Sequence, residues 1–184
     1  PTQGAPGPEM SVDAVAHPVV TAPTGSTTLV ERLRSRLRPD QVRDGAAELN
    51  LYRRDASNMA GRAAVVCFAE STDDVRAIVQ VANEFGVPFV PRGSGTGLAG
   101  GAVPMGGAIV VSTSKMNRIL SVDAINRMAW VEPGVLNLDL SKQIAHLGVH
   151  FAPDPSSQQT CSIGGNVANN SGGPHCLADG VTSA

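Results

Sequence analysis

The feature that most constrains this chain is a glycine-rich segment, residues 93–107, which contains seven glycines in fifteen residues and is called the first segment below. Gly93, Gly95 and Gly97 alternate with hydroxyl-bearing residues, so few side chains shield the backbone and successive N–H groups can converge on one point. Arg92 adds a positive charge directly before them. These donors predict a cradle for a phosphate or pyrophosphate group, with an ordinary glycine-rich surface loop as the alternative.

The sequence GTGLAG at residues 95–100 matches the dinucleotide fingerprint GxGxxG, but its surroundings exclude the fold that uses it. That fingerprint requires a helix to begin on the glycines. Here Pro104 and three further glycines follow, and the apolar run 108–112 indicates a strand. A Walker A loop is excluded as well, because the only lysines, Lys115 and Lys142, lie outside any Gly-Lys-Ser/Thr sequence.

A second segment rich in glycine and hydroxyl groups covers residues 152–173. Gly164 and Gly165 allow a ligand to approach the backbone closely, and several serines add short donors. Residues 163–170 are predicted to form a short helix whose N-terminal amides face an anion. Two such segments, separated by about sixty residues of regular structure, predict one extended ligand bound from both sides.

Hydrophobic periodicity between and around these segments predicts an α+β fold. Ser71 is expected to cap a helix, with Asp74 in capping-box spacing, and Gly86 is expected to end it. The strand before this helix and the strand after it form a unit that crosses over with the right-handed sense. Helices are predicted over 28–38 and 136–147, and strands over 63–68, 87–90, 108–112, 116–122 and 128–131.

Composition narrows the class of protein. The net charge is −2 and aromatic residues make up 3%, which argues against nucleic acid as a partner. Three cysteines without a CxxC pair are typical of a reduced, cytoplasmic protein. No apolar run approaches the length of a transmembrane helix. Residues 1–27 are interpreted as a flexible arm, and the absence of a closing element before Ala184 predicts a fragment.

Three sequences together carry a family resemblance: PRGSGTGLAGG at 91–101, PDPSSQQTCSIGGNVANNSGGPHC at 153–176, and DGVT at 179–182. They resemble the FAD-binding domain of flavoproteins of the vanillyl-alcohol-oxidase/p-cresol-methylhydroxylase (PCMH) type. Within that family they are most similar to the branch of glycolate oxidases and D-lactate dehydrogenases. The resemblance implies two α/β subdomains with FAD between them, incomplete at the C-terminus. It also implies a helical lead-in over 28–57 and the FAD-binding domain over 58–184.

The resemblance further implies which residues contact the cofactor. Those expected at the FAD pyrophosphate are Pro91, Arg92, Gly93, Ser94, Gly95, Thr96, Gly97, Leu98, Gly100 and Gly101. Those expected along the flavin are Pro153, Asp154, Ser156, Ser157, Cys161, Ser162, Ile163, Gly164, Gly165, Asn169 and Gly173. Some relatives attach FAD covalently through a histidine in the first segment, which contains none here, so FAD is expected to be non-covalent.

The implied reaction is hydride transfer from the α-carbon of a small D-2-hydroxy acid to flavin N5. The catalytic base is expected outside this chain, so the fragment alone is expected to be inactive. The resemblance also implies a partner subunit that carries an iron–sulfur cluster. The protein is expected in the cytoplasm, with membrane association through its partners. The alternatives are a sugar oxidase or nucleotide-sugar reductase of the same superfamily, and a non-catalytic nucleotide-binding module. The sequence SSQQTCSIGG at 156–165 favours the hydroxy-acid branch.

Other candidate residues are given structural roles. His175 and Cys176 are adjacent, with no orienting carboxylate evident in the sequence, so catalysis by this pair is not expected. A glycine interrupts the helix between His146 and His150, which argues against a metal pair. Tyr52, together with Asp55, is expected to support the fold.

Overall fold

The computed structural model describes residues 27–183, which form a four-stranded sheet and a separate two-stranded hairpin with helices packed around them. The strands are β1 Val42–Arg43, β2 Ala63–Phe68, β3 Phe89–Arg92, β4 Ala108–Ser112, β5 Ile119–Asp123 and β6 Met128–Val131. The helices are α1 Leu29–Arg34, α2 Ala46–Tyr52, α3 Thr72–Phe85, α4 Asn137–Ile144, α5 Ile163–Asn169 and α6 Cys176–Asp179. This mixed architecture confirms the predicted α+β class.

The main sheet has the strand order β1-β2-β4-β3. Strands β2 and β3 both pair in parallel with β4, and β1 pairs antiparallel with β2 at the edge. All five residues of β4 are buried because it lies between two other strands, which explains why its sequence is continuously apolar rather than alternating. The chain leaves β2, passes through α3 and returns as β3 on the far side of β4. The carboxyl end of β3 therefore opens directly into the first glycine-rich segment.

Helix α3 forms where its capping residues predict it. The Ser71 hydroxyl accepts a hydrogen bond from the Asp74 amide at 3.1 Å, and Gly86 ends the helix in the left-handed conformation with φ of 60°. The other half of the capping box is absent, because the Asp74 carboxylate accepts instead from the Glu70 amide and the Gln41 side chain. Asp74 thus ties the start of α3 to the turn before β1.

Several predicted boundaries are corrected by local hydrogen bonds. Helix α1 ends at Arg34 rather than at residue 38. The next residue, Ser35, donates a hydrogen bond from its hydroxyl to the Arg32 carbonyl. The strand predicted over 116–122 begins only at Ile119, because the preceding residues form a turn closed by the Met116 amide. The strand predicted over 87–90 lies two residues later. After α4, a 3₁₀ turn over Ala145–Leu147 replaces the last predicted helical turn.

The expected lead-in, 28–57, is built into the main sheet. It supplies edge strand β1 and helix α2, which packs on β2 through Leu49 and Tyr52. The boundary between 57 and 58 stays a prediction, and the expected arm, 1–27, lies outside the described residues except for its last position. Among residues 27–183, no helix combines the length and the apolar character that crossing a bilayer requires.

Candidate functional site

The first segment runs from the end of β3 to the start of β4 without forming a helix. This confirms that the GxGxxG match at 95–100 does not build a dinucleotide fold of the Rossmann type. Within residues 27–183, the amides of residues 93–99 donate no hydrogen bond to a protein acceptor. Backbone amides in a folded protein normally have partners, so this run presents a continuous set of available donors.

The Arg92 side chain packs against this run of amides at Gly95. The residue is only 8% exposed. Its guanidinium stacks on the Tyr52 ring at 5.2 Å from the centroid and donates to the Ala102 carbonyl at 3.3 Å. A Cβ on Gly95 would collide with this guanidinium, and Gly95 has a φ of 73°. Burial lowers the pKa of Arg92, partly offset by Tyr52 and Asp55.

Asp55 fixes the far end of the first segment. Its carboxylate accepts from the Ala102 amide at 3.4 Å and from the amide and hydroxyl of Ser57 at 2.9 and 2.6 Å. Desolvation acts to raise the pKa of Asp55, but these hydrogen bonds outweigh it, so that the pKa is lowered. Tyr52 and Asp55 therefore brace the segment, in agreement with the structural role that the sequence predicts for them.

The N-terminus of α5 is closed by protein groups, which corrects the expectation that it faces an anion. The amides of Ile163 and Gly164 donate to the carbonyls of Val135 and Pro133, each at 2.8 Å. The Gly165 amide donates to the capping hydroxyl of Ser162 at 3.3 Å. These bonds dock α5 on the strand-to-helix connection before α4 and leave its first amides occupied.

A buried amide network supports the second segment, and the sequence analysis missed it. The Asn137 side chain donates to the Pro153 carbonyl at 2.9 Å and to the Asn166 side chain at 3.0 Å. Asn166 in turn donates to the Cys161 sulfur at 3.3 Å. Both asparagines are at most 2% exposed. The available signal was Asn166 on the inward face of α5, three residues after the buried Ile163.

The two glycine-rich segments face each other across a cavity of about 480 Å³. A Cβ on Gly93 would collide with the Ser162 side chain, and a Cβ on Gly97 would lie 3.6 Å from the Asn169 amide nitrogen. This close approach depends on the bare backbone at both positions. The structure thus forms one cavity between the two segments, which approach each other closely at Gly93 and Ser162.

About half of the residues predicted at the cofactor line this cavity. They are Gly93, Ser94, Thr96, Gly97, Leu98, Ser156, Ser157, Cys161, Ser162, Gly165 and Asn169. The lining also includes residues that the sequence analysis did not select, namely Ala99, Pro155, Asn166, Ser171 and Gly172. All these side chains are uncharged, so the cavity offers an anion hydrogen bonds rather than an ion pair.

The remaining predicted residues serve the frame around the cavity. Arg92 and Gly95 pack against each other, and Ile163 is buried in the core formed by α4 and the hairpin. Gly164 packs on Pro133, and Gly173 packs on Asp154. The others are Pro91 in β3, the positive-φ Gly100, the exposed Gly101, and the buried Pro153. Direct cofactor contact by these ten residues stays a prediction.

Another cavity, of about 500 Å³, meets the first at Ser94. It is lined by polar groups from the turn before β5 and from α4, including Ser114, Asn117 and Gln143. Arg118 stands at its edge and pairs with Glu132, whose carboxylate also accepts from the Arg118 amide at 2.8 Å.

His175 has the carboxylate partner that the sequence did not reveal. Its Nδ1 lies 2.6 Å from Oδ2 of Asp154, twenty-one residues earlier. The hydrogen bond and the charge of Asp154 raise the pKa of His175, and the hydrogen bond to His175 lowers the pKa of Asp154. The expectation that His175 lacks an orienting carboxylate is therefore wrong, because the fold supplies one from the second segment.

The site fits a diphosphate coenzyme. The available amides of 93–99 match the several oxygens of a diphosphate. The hydroxyls of Ser94 and Thr96 lie on the same wall. The opposite wall combines small polar residues with the bare backbone of Gly165, which leaves room for a planar ring.

Comparisons with known proteins agree with this geometry. A family model described as FAD binding domain matches residues 63–184. The glycolate oxidase subunit GlcD of Escherichia coli strain K12 is 45% identical over 121 residues, 66% of this chain and 24% of that protein. The D-lactate dehydrogenase of Anaerostipes hadrus is 40% identical over 121 residues, 66% of this chain and 25% of that protein.

A solved structure of p-cresol methylhydroxylase with bound substrate matches the fold with a TM-score of 0.70. It is 23% identical and the match covers 78% of this chain and 29% of that one. This confirms the predicted PCMH-type fold. The chain spans about a quarter of the length of the two curated relatives described above.

Proposed function

The chain belongs to the FAD-binding domain family, and on that premise we propose that it binds FAD non-covalently in a flavin-dependent oxidoreductase of D-2-hydroxy acids. The family resemblance covers both glycine-rich segments. The relatives named glycolate oxidase subunit and D-lactate dehydrogenase support a small 2-hydroxy acid as the substrate class.

One observation carries this proposal: the two glycine-rich segments form opposite walls of one cavity. A site for a lone phosphate needs only one of these walls. The available amides of residues 93–99 supply donors at one wall, and the asparagine network orders the other. Together they support an extended coenzyme with a diphosphate near the first segment and a ring near the second.

The residues of the chain bind and orient the coenzyme. Amides of 93–97 and the hydroxyls of Ser94 and Thr96 would hold the diphosphate oxygens, and each bond to a charged oxygen would contribute about 1.5–3 kcal/mol. Cys161 and Asn169 line the cavity and would border the ring of the coenzyme. Bound FAD would supply the acceptor for the hydride from the α-carbon of the hydroxy acid, and a base outside this chain would take the hydroxyl proton.

The partner and the cellular location belong to the same proposal. A relative named as a glycolate oxidase subunit supports assembly with another subunit. We propose an iron–sulfur subunit, because a reduced flavin needs an acceptor for its electrons. A cytoplasmic location agrees with three free cysteines among the described residues, since disulfides are uncommon in reducing compartments.

The spectrum of the purified full chain tests FAD binding. We expect the visible absorption of oxidised flavin, and bleaching when a D-2-hydroxy acid is added to the assembled holoenzyme. Reduction by a nucleotide sugar or a free sugar instead would favour the other enzymes of the superfamily. A colourless protein that binds simple nucleotides would support the non-catalytic module and contradict the proposal.

Acid precipitation tests the non-covalent link. Residues 91–107 contain no histidine that could attach the flavin. We therefore expect the flavin to remain in the supernatant after the protein is precipitated and removed. Flavin fluorescence in each fraction gives the result, and flavin that stays with the washed pellet would contradict dissociable binding.

A further inference from the structure

The Asp154–His175 ion pair joins two stretches that contribute separately to the cavity wall. Asp154 directly precedes Pro155, Ser156 and Ser157, all of which line the cavity. His175 follows the lining residues Ser171 and Gly172 at a distance of three or four positions. The pair therefore bridges the beginning and the end of the second segment.

The backbone of residues 171–173 packs closely against the residues around the ion pair. A Cβ on Gly173 would collide with the backbone and carboxylate of Asp154. On the other side, the Thr182 amide and hydroxyl both donate to the Ser171 carbonyl, at 2.9 and 2.6 Å. Residues 171–173 are thus held between Asp154 and the end of the described chain, so losing the pair frees one side of this stretch.

The charges that act on His175 come from two elements. Asp154 of the second segment is in direct contact, and Asp179 of α6 adds a weaker attraction. Both favour the imidazolium, and desolvation opposes it. The His175 side chain is 70% exposed, so its proton exchanges freely with solvent.

We propose that the Asp154–His175 pair is a clasp that positions Ser171 and Gly172 at the cavity wall and makes FAD affinity depend on the protonation of His175. The clasp rests on the proposed function, since it assumes that FAD occupies this cavity. With His175 charged, the pair is a charge-assisted hydrogen bond. With His175 neutral, the bond is weaker and the wall opens.

The direction of the pH effect follows from the pair itself. The raised pKa of His175 means that the clasp is complete below the ordinary histidine value and weakens as the pH rises through the value in the folded protein. At the acid end, the clasp weakens as Asp154 is protonated, below the ordinary carboxyl range. FAD should therefore bind most tightly in weakly acidic solution.

The test measures the dissociation constant of FAD for the full chain from about pH 6 to about pH 9, a range in which histidine titrates. We expect wild-type affinity to fall about two- to fivefold across this range, the scale of an exposed ion pair. His175→Gln should bind weakly at every pH with a flat profile. His175→Lys, which keeps the cation, should hold the tighter binding up to high pH.

His146→Gln is the matched control, because His146 is an exposed histidine remote from the lining of this cavity. It should reproduce the wild-type profile. Asp154→Asn should flatten the profile as His175→Gln does, and thermal unfolding confirms that each variant is folded. A His175→Gln profile identical to wild type, or a His175→Lys profile no different from that of His175→Gln, would overturn the clasp. A wild-type chain that binds no FAD at any pH would instead refute the proposed function.

Discussion

At the scale of single residues, the site depends on positions where a side chain is missing. Gly93 allows the first segment to touch Ser162, and Gly95 allows it to lie on the Arg92 guanidinium. The buried arginine has an aromatic face and a carbonyl as partners. Its charge therefore acts on the first segment although the guanidinium does not line the cavity. This is possible because the electric field of a buried cation is weakly screened.

Gly95→Val is expected to abolish FAD binding while the sheet remains folded. Gly95 has a φ of 73°, which a β-branched residue adopts only with strain, and its new Cβ would displace Arg92. We expect FAD affinity to fall by at least about tenfold, or ~1.4 kcal/mol. Flavin titration measures the loss, and circular dichroism checks the fold.

Gly45→Val is a control for this change. Gly45 has an ordinary extended backbone with φ of −66°, and its Cβ would meet only the mobile end of Glu48. This variant should bind FAD normally. If Gly95→Val retained flavin with an unchanged dichroism spectrum, the role of the first segment in binding would be contradicted.

At the scale of elements, α3 holds the strands that present the first segment. It buries Ile78, Val81, Ala82 and Phe85 against the sheet, and its first turn is capped by Ser71. The connection through α3 places β3 beside β4, so the first segment begins and ends on neighbouring strands. Stability of this helix is thus a condition for the geometry of the site.

Ser71→Ala should lower the free energy of unfolding by about 1 kcal/mol, because the Asp74 amide loses its acceptor at the helix N-terminus. Chemical denaturation of the full chain measures the change. Thr72→Ala removes a hydroxyl and a methyl group from an exposed neighbouring position and should have a much smaller effect. Equal losses in the two variants would show that the cap is not the cause.

At the scale of the whole molecule, ion pairs and capping hydrogen bonds make the free energy of unfolding depend on pH. Carboxyl groups with a lowered pKa among residues 27–183 are Glu31, Asp40, Asp55, Asp123, Glu132 and Asp154. For Glu132, the side chain and then the amide of Arg118 are the causes. A lowered folded-state pKa stabilises the protein above the unfolded-state value, and this contribution is lost as the pH falls through the folded-state value.

The melting temperature should therefore fall as the pH is lowered from about 6 to about 3. Glu132→Gln should melt below wild type at the upper pH and approach it at the lower one, because the wild-type carboxylate is then protonated. Thermal unfolding of both proteins across this range gives the comparison. A constant difference at every pH would show that the charge of Glu132 is not what stabilises the hairpin.

Much of the fold was predictable because its signals are local. The caps of α3, the strands β2, β4 and β6, and the start of α5 all follow from residues within a few positions of each other. The strand boundary at Ile119 was missed because a local turn, closed by the Met116 amide on the Thr113 carbonyl, replaces the first predicted strand residues. The occupied amides of Ile163 and Gly164 were unpredictable for another reason, since their acceptors lie about thirty residues earlier.

The sequence by itself determined that the first segment cannot start a helix, and that the glycine positions of both segments carry no side chain to separate their backbones from a neighbouring group. These properties belong to each residue and its neighbours, namely missing side chains and prolines that lack an amide hydrogen. Only the tertiary structure decided that the stretches face each other, that Arg92 lies beneath the donors, and that Asp154 meets His175. Such contacts depend on how the sheet, the hairpin and α5 pack, and packing joins residues that no local pattern connects.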